Sequence, residues 1–414
     1  MLAARRYRQS GDIMAAQGAG QVSARRPGRP VRPLVVLAGA ALVTVLAACG
    51  SSSPRQPVAG RVPPASPPAQ PTGPAYLSLQ ATRFSDLPGW SSDRHQDALA
   101  ALRRSCPKLA ARPADQPLGS NGLFGRIAHW QRICTAAYQA SDDDRGARRF
   151  FEEWFMPYRA GNGADDQGLF TGYYEPILRG SWVRTGRYTV PVYRTPPEAS
   201  QKGAQLPSRA RIEAGALAGR GLELLWLDDP VDAFFLHIQG SGQVQMTDGS
   251  RVRIGFAGKN GHAYFPIGAE LKRRGEIPEE QMSMQAIRAW MATHPAEAPR
   301  LMAMNASYVF FRRIDGEGPI GAQGVALLPG RSIAVDPSFV AYGIPVWLDT
   351  TDPLNGGEPL RRLVVAQDTG GAIRGPVRGD LFWGTGDGAG AGAGVMKQPG
   401  RWFLLLPKAA AAIG

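Results

Sequence analysis

The spacing of apolar positions changes character several times along the chain. An uncharged apolar run occupies residues 34–46, directly behind a basic stretch at 25–32. From about 93 to 159 the apolar positions recur at helical spacing. Ala98, Leu99 and Leu102 share one face, as do Ile127, Trp130, Ile133, Cys134 and Ala137. Ser141 stands before the acids Asp142 to Asp144, which predicts an N-cap and a helix running to about Phe155, ahead of Pro157. The pattern then breaks into short runs bounded by Gly and Pro. Residues 169–174, 188–193 and 233–238 read as strands, and 244–246 and 252–256 flank the turn pair Asp248-Gly249 of a hairpin. A helix returns at about 278–294, where Met282, Ala286, Ala289 and Trp290 form a stripe. Beyond 300, short strands are expected at 308–312, 333–335, 346–348, 363–366, 381–383 and 402–406. Evenly spaced short strands predict a mainly β, barrel-like body with a helical N-terminal part.

The apolar run at 34–46, roughly 13 residues, is short for a bilayer span and suits the core of a signal peptide. It leads into Leu46-Ala47-Ala48-Cys49-Gly50, which resembles a bacterial lipobox. On that reading residues 1–48 are a lipoprotein signal peptide and Cys49 is the lipid attachment site. Two or three acyl chains there give durable membrane anchoring. No Asp follows Cys49, which favours the outer membrane and the periplasmic side of the envelope. The alternative is an ordinary secretory signal whose cleavage site neighbours a cysteine. Residues 49–75 are rich in Pro and Ser and read as an extended tether, so folding starts near Tyr76.

The net charge of +13 raises a polyanionic partner. Residues 1–48, however, carry Arg5, Arg6, Arg8, Arg25, Arg26, Arg29 and Arg32 against Asp12 alone, so nearly half the excess belongs to the leader. What remains does not call for nucleic acid. A hydrophobic content of 43% supports a sizeable core and excludes wholesale disorder. Cys106 and Cys134 stand in helical segments; in an oxidising compartment they form a disulfide, or else they are two buried thiols. No metal is expected, because His95, His129, His237, His262 and His294 lack ligand spacing and no Cys-x-x-Cys occurs.

Nucleophile and phosphate-binding motifs are missing, and Gly240-Ser241-Gly242 has no convincing triad partners. What stands out is Asp336-Pro337, Asp368-Thr369-Gly370-Gly371 and Gly379-Asp380 at predicted strand ends. Each alone serves a turn as readily as a reaction. Three of them within 45 residues of β-rich chain suggest convergence at one barrel mouth. Tyr173, Tyr174, Trp182, Trp226, Tyr264, Trp347 and Trp383 offer rings for sugar faces or for the core. Acid-catalysed glycosidic cleavage needs a carboxyl kept protonated by apolar surroundings, and Asp380, followed by Leu381, Phe382 and Trp383, has the most apolar company.

Several blocks together resemble the membrane-bound lytic murein transglycosylase A family. They are Gly168-Leu-Phe-Thr-Gly-Tyr-Tyr-Glu-Pro176, Leu206-Pro-Ser-Arg-Ala210, Phe234-Phe-Leu-His-Ile-Gln-Gly-Ser-Gly242 and Ala257-Gly-Lys-Asn-Gly-His-Ala-Tyr264. Met282-Ser-Met-Gln-Ala-Ile287, Asn305-Ala-Ser-Tyr-Val-Phe-Phe311 and Ala366-Gln-Asp-Thr-Gly-Gly-Ala-Ile-Arg-Gly375 complete the set. The resemblance implies a double-psi β-barrel body with an inserted second β domain. Residues 76–176 would lead into the barrel, 177–318 would form the insert, and 319–414 would complete the barrel as a three-aspartate (3D) domain. It implies Asp380 as the catalytic acid, with Asp368 and Asp336 tuning or positioning the site. Thr171, Tyr173, Gln239, Ser241 and Gly242 would bind peptidoglycan glycan strands, and the Gly/Ala tract 384–394 would be a turn beside the acid. The implied reaction is cofactor-free cleavage between N-acetylmuramic acid and N-acetylglucosamine with a 1,6-anhydro product. A muramidase-type hydrolase and a non-catalytic wall-binding lipoprotein are the alternatives.

Overall fold

The computed structural model describes residues 75–119, 122–201 and 205–411. The expected signal peptide, Cys49 and all of the expected tether but Ala75 lie outside the described residues. In chain order the strands are β1 (Leu77–Ala81), β2 (Phe155–Asn162), β3 (Gly168–Glu175), β4 (Ile177–Ser181), β5 (Val190–Tyr193), β6 (Glu223–Leu227) and β7 (Ser241–Met246). They continue with β8 (Arg251–Lys259), β9 (Val309–Ile314), β10 (Ser332–Val335), β11 (Pro345–Thr351), β12 (Pro359–Asp368), β13 (Arg378–Thr385) and β14 (Lys397–Pro407). The chain is thus mainly β, in two sheets.

The first sheet runs β1-β2-β14-β11-β12-β10-β13-β3, and β3 pairs again with β14. Six strands therefore close into a ring. The long strand β14 makes closure possible: its first half pairs with β3, from Lys397↔Thr171 to Gly400↔Gly168, and its second half pairs with β2. All four residues of β10 are buried, as are Leu363 to Gln367 of β12. Strands covered on both faces lose polar alternation and read as continuous apolar runs.

Helices α1 (His95–Ala110), α2 (Ile127–Gln139) and α3 (Asp144–Trp154) share one apolar core with the ring; Leu99, Trp130 and Phe151 are fully buried beside Trp347 and Trp402. Cys106 of α1 and Cys134 of α2 form a disulfide. The cap of α3 is Asp143, whose carboxylate accepts from the Gly146 amide at 2.8 Å; the expected cap, Ser141, is not used. The helix ends at Trp154. That end agrees with the expected one near Phe155, and residues 155–159, at the close of the stretch with helical texture, are strand because β2 pairs with both β1 and β14.

The second sheet is open, in the order β5-β6-β4-β7-β8-β9. Its hairpin between β7 and β8 turns at Asp248-Gly249 as expected, with Gly249 at φ 84°. Residues 233–238 are a correction: they lie in a helix, Pro230–Gln239. An apolar run of six carries no period that separates strand from buried helix, and the caps decide. Asp229 accepts from the Val231 and Asp232 amides at 2.7 and 2.9 Å, Pro230 opens the first turn, and Gly240 closes the helix at φ 79°. The helix expected at 278–294 is shorter, Met284–Thr293, with the Ser283 hydroxyl capping the Ala286 amide.

The Gly/Ala tract is also a correction, being a helix, Asp387–Ala393, rather than a simple turn. Glycine disfavours helix through backbone entropy, so tertiary contact must decide it. A Cβ on Gly392 would stand 2.4 Å from the Trp383 ring, and one on Gly390 would stand 2.9 Å from Tyr174. The missing side chains let this short helix lie directly on two aromatic rings.

Candidate active site

Strand register brings the candidate residues into one transverse row. Asp368 at the end of β12 is the partner of Ala334 on β10, and Ala334 is in turn the partner of Asp380 on β13. Asp380 pairs with Thr171 of β3, and Thr171 pairs with Lys397 of β14. Residues 209 positions apart in sequence thereby meet: the Thr171 hydroxyl donates to Asp380 Oδ1 at 2.6 Å.

The three aspartates differ in how fully their oxygens are engaged. Asp336 is buried; its Oδ1 accepts from the Ser338 amide at 3.1 Å and its Oδ2 from the Gly375 amide at 2.9 Å. It pins the turn after β10 to the loop ahead of β13. Asp368 Oδ1 accepts from the amides of Ala322 and Thr369, both at 2.9 Å, and its Oδ2 accepts from the Tyr173 hydroxyl at 2.8 Å. Its neighbour Gln367 is fully buried and ties β12 to α1 through the Ala101 carbonyl and the Ser105 hydroxyl, each at 2.8 Å. Asp380 holds one hydrogen bond on Oδ1, and among the described residues its Oδ2 has no partner. It keeps partial access to solvent.

Burial raises the carboxyls of both Asp368 and Asp380 above the usual aspartate range. For Asp368 the value reaches about 6, against the opposing hydrogen bonds from Tyr173, Ala322 and Thr369, with the charge of Asp380 adding to the rise. For Asp380 the hydrogen bond from Thr171 and the charge of Arg378 oppose the rise. Burial also raises the phenols of Tyr173 and Tyr264, and the negative charge of Asp380 pushes both further. Tyr264 comes from the segment after β8 and lies against Gly371, so the second sheet contributes a ring close to the acid.

Of the expected binding residues, Thr171 and Tyr173 join the aspartates directly. Gln239, Ser241 and Gly242 do not hydrogen-bond them. Gln239 ends its helix and accepts from the Tyr174 amide at 3.0 Å. Ser241 is buried at the start of β7, and a Cβ on Gly242 would stand 2.7 Å from Leu236, so that position is set by packing. Among the aromatic candidates Trp347 is wholly core, whereas Trp182 and Tyr264 are each 39% exposed.

Two residues had no place in the expectation. Glu175 is fully buried at the exit from β3; it accepts from Arg253 at 2.8 Å, Thr385 at 2.8 Å and Gln243 at 3.2 Å, clasping the ring to the second sheet. Arg378 donates to the Thr171 hydroxyl at 2.9 Å. Both had a readable signal. Glu175 is the one acid in the Gly168–Pro176 block, and Arg378 is two residues from Asp380, on the same face of a strand.

Residues 169–312 match the family described as the MltA specific insert domain, and residues 331–406 match the 3D domain. The membrane-bound lytic murein transglycosylase A of Escherichia coli (strain K12) is 38% identical over 315 residues, covering 73% of this chain and 79% of that protein. The crystal structure of membrane-bound lytic murein transglycosylase from Agrobacterium tumefaciens superimposes with a TM-score of 0.75 at 35% identity, over 81% of this chain and 99% of that one. E. coli MltA with bound chitohexaose gives a TM-score of 0.60 at 32% identity, over 81% and 95%. With two domain matches in order and relatives this similar over most of both lengths, the chain belongs to the membrane-bound lytic murein transglycosylase A family.

Proposed function

We propose that this protein is a peptidoglycan lytic transglycosylase whose single catalytic carboxyl is Asp380. The observation that carries the residue assignment is that, among the described residues, Asp380 Oδ2 has no hydrogen-bond partner. Asp336 and Asp368 have both oxygens occupied by donors, so neither is disposed to activate water. A site with one available carboxyl lacks the pair that ordinary glycoside hydrolysis uses.

The reaction then runs without external water. Asp380, whose carboxyl burial shifts toward the protonated form, transfers its proton to the oxygen linking C1 of N-acetylmuramic acid to C4 of N-acetylglucosamine. The C1–O bond breaks and the N-acetylglucosamine end departs as an alcohol. The C6 hydroxyl of the same muramic ring attacks the oxocarbenium-like C1, with the effective-molarity advantage of a tethered nucleophile. Asp380, now a base, accepts the C6 hydroxyl proton and is ready for another turnover.

A chito-oligosaccharide bound to the E. coli relative supports a glycan strand as the ligand. We take residues 177–318 as one wall of the substrate groove, 76–176 and 319–414 as the other, and the closed ring as a double-psi β-barrel. Gln239, Ser241 and Gly242 then shape the wall beside Tyr174. Digestion of purified sacculi with mass spectrometry tests the reading: 1,6-anhydro muropeptides are expected, and products heavier by one water would overturn it.

The word membrane-bound in the relatives' names supports envelope association. Cys49 is the proposed acylation site, on the periplasmic side of the outer membrane. Cys49→Ser should move the protein from the membrane fraction to the soluble periplasm, and unchanged retention would count against the anchor.

A further inference from the structure

Arg378 and Asp380 alternate on β13 and so share a face, and Thr171 is the register partner of Asp380 on β3. The Arg378 guanidinium is partly buried and held by the carbonyls of Leu169, at 3.2 Å, and Gly379, at 2.5 Å. Its Nη2 reaches the Thr171 hydroxyl at 2.9 Å, and that hydroxyl lies 2.6 Å from Asp380 Oδ1. A guanidinium only donates, and a threonine hydroxyl has one proton. Thr171 Oγ1 must accept from Arg378, which leaves its own proton to point at Asp380. A hydroxyl polarised by a guanidinium donates more readily than it accepts, so Oδ1 takes the acceptor role and the acidic proton of Asp380 is directed to Oδ2.

We infer that Arg378 is a positioning residue for the acid: acting through Thr171, it confines the transferable proton of Asp380 to Oδ2. This rests on Asp380 being the acid and reassigns Thr171 from glycan binding to the relay. When the proton leaves, the negative charge on Asp380 is met by a hydroxyl already polarised by a cation, with no side chain needing to turn. That preorganisation favours proton transfer more than substrate binding.

The groups facing Asp380 are Arg378 on its own strand, Tyr173 on β3, Asp368 on β12 and Tyr264 from the second sheet. Lys397, the register partner of Thr171, has its ammonium on Glu279 at 3.4 Å. Arg378 is the cation that steadies the Asp380 carboxylate, so removing its charge should lift the pH at which the acid loses its proton.

The test uses the purified enzyme and a soluble glycan of alternating N-acetylglucosamine and N-acetylmuramic acid, with kcat and KM followed against pH. Arg378→Gln and Thr171→Val should each lower kcat about 10- to 100-fold, the range of one hydrogen bond to a charged group, with KM changed little. Thr171→Ser should recover most of the rate. The double variant should be no slower than Thr171→Val alone, since the two act in series. The basic limb of the profile should move to higher pH in Arg378→Gln. Multiplicative losses, an effect confined to KM, or an unmoved basic limb would each overturn the relay. Should Arg378→Gln fail to fold, the Thr171→Ser and Thr171→Val pair decides: equal loss in both overturns the proposal. Product masses are read in the same runs, so a hydrolytic product would refute the transglycosylase reading while the relay is judged separately by rates.

Discussion

Arg209, beside the second sheet, and Asp380, in the ring, are both ionisable side chains drawn into the protein, and they are treated in opposite ways. Arg209 is 1% exposed and its donors reach the Asn305 carbonyl at 3.0 Å, the Ser307 carbonyl at 2.7 Å and Glu213 at 3.1 Å, while its plane lies near the rings of Phe234 and Tyr308. Every side of it is answered by the protein. Asp380 has one oxygen answered and one left open. A buried charge whose bonding is complete holds a fold together, and one whose bonding is incomplete is available for chemistry. Burial and a displaced pKa do not distinguish the two, because both residues have both.

Four substitutions probe that contrast. The largest effect is expected from Asp380→Asn, which retains shape and removes the transferable proton. Turnover of sacculi should fall by about 10³-fold or more while the melting temperature changes little. A variant with near wild-type release of anhydro products would break the assignment. Arg209→Met should do the reverse. Leaving Glu213 and two carbonyls unanswered costs about 3–5 kcal/mol of stability, measured by urea unfolding, and activity per folded molecule should persist.

Glu175→Leu should come next. It strands Arg253 at the junction of ring and second sheet, with a loss of about 3 kcal/mol in the same assay. Cooperative unfolding should also split into two steps if the clasp is what couples the sheets; a single unchanged transition would show coupling through other contacts.

The last effect, at most as large as that of Glu175→Leu, has the opposite sign. Asp368 in the folded protein titrates near 6, above the usual 3.8, so the stability linked to its proton is complete at low pH and is lost as pH rises through 6. Asp368→Asn removes that ionisation. It should raise stability at pH 7.5 by up to about 3 kcal/mol, and the gain should vanish near pH 4. Thermal melts at the two pH values check this, and a variant less stable at both would mean that the hydrogen bonds to Tyr173, Ala322 and Thr369 outweigh the charge.

The ring strands could be read from sequence where Gly or Pro marks the ends, as at β3, β10, β13 and β14, and most directly at β10, whose four residues are all buried. The misreadings share a physical cause. Residues 233–238 are uniformly apolar, so their conformation is set by Asp229 and Gly240 outside the run. The tract 384–394 has almost no side chains, and its helix is decided by Trp383 and Tyr174 from other strands. Strand β2 contains Pro157 and follows a helix directly, and only pairing with β1 and β14 makes it extended. At the site, the proposed acid Asp380 stands out in sequence by its apolar neighbours and its motif. The partners of Asp368 and Asp336 are mostly backbone amides, which no side-chain pattern records.

Ring closure through β14 has a consequence for the order in which the enzyme becomes dangerous to its own cell wall. Thr171 emerges early and must wait for Asp380, 209 residues later, and for the strand beyond it that seals both in place. Contacts so distant in sequence form late in folding. A chain still being made has not yet brought Thr171 and Asp380 together, and a fragment lacking the last strand has an open ring. With Asp380 as the proposed acid, the topology would hold back wall cutting until the last strand has joined the ring.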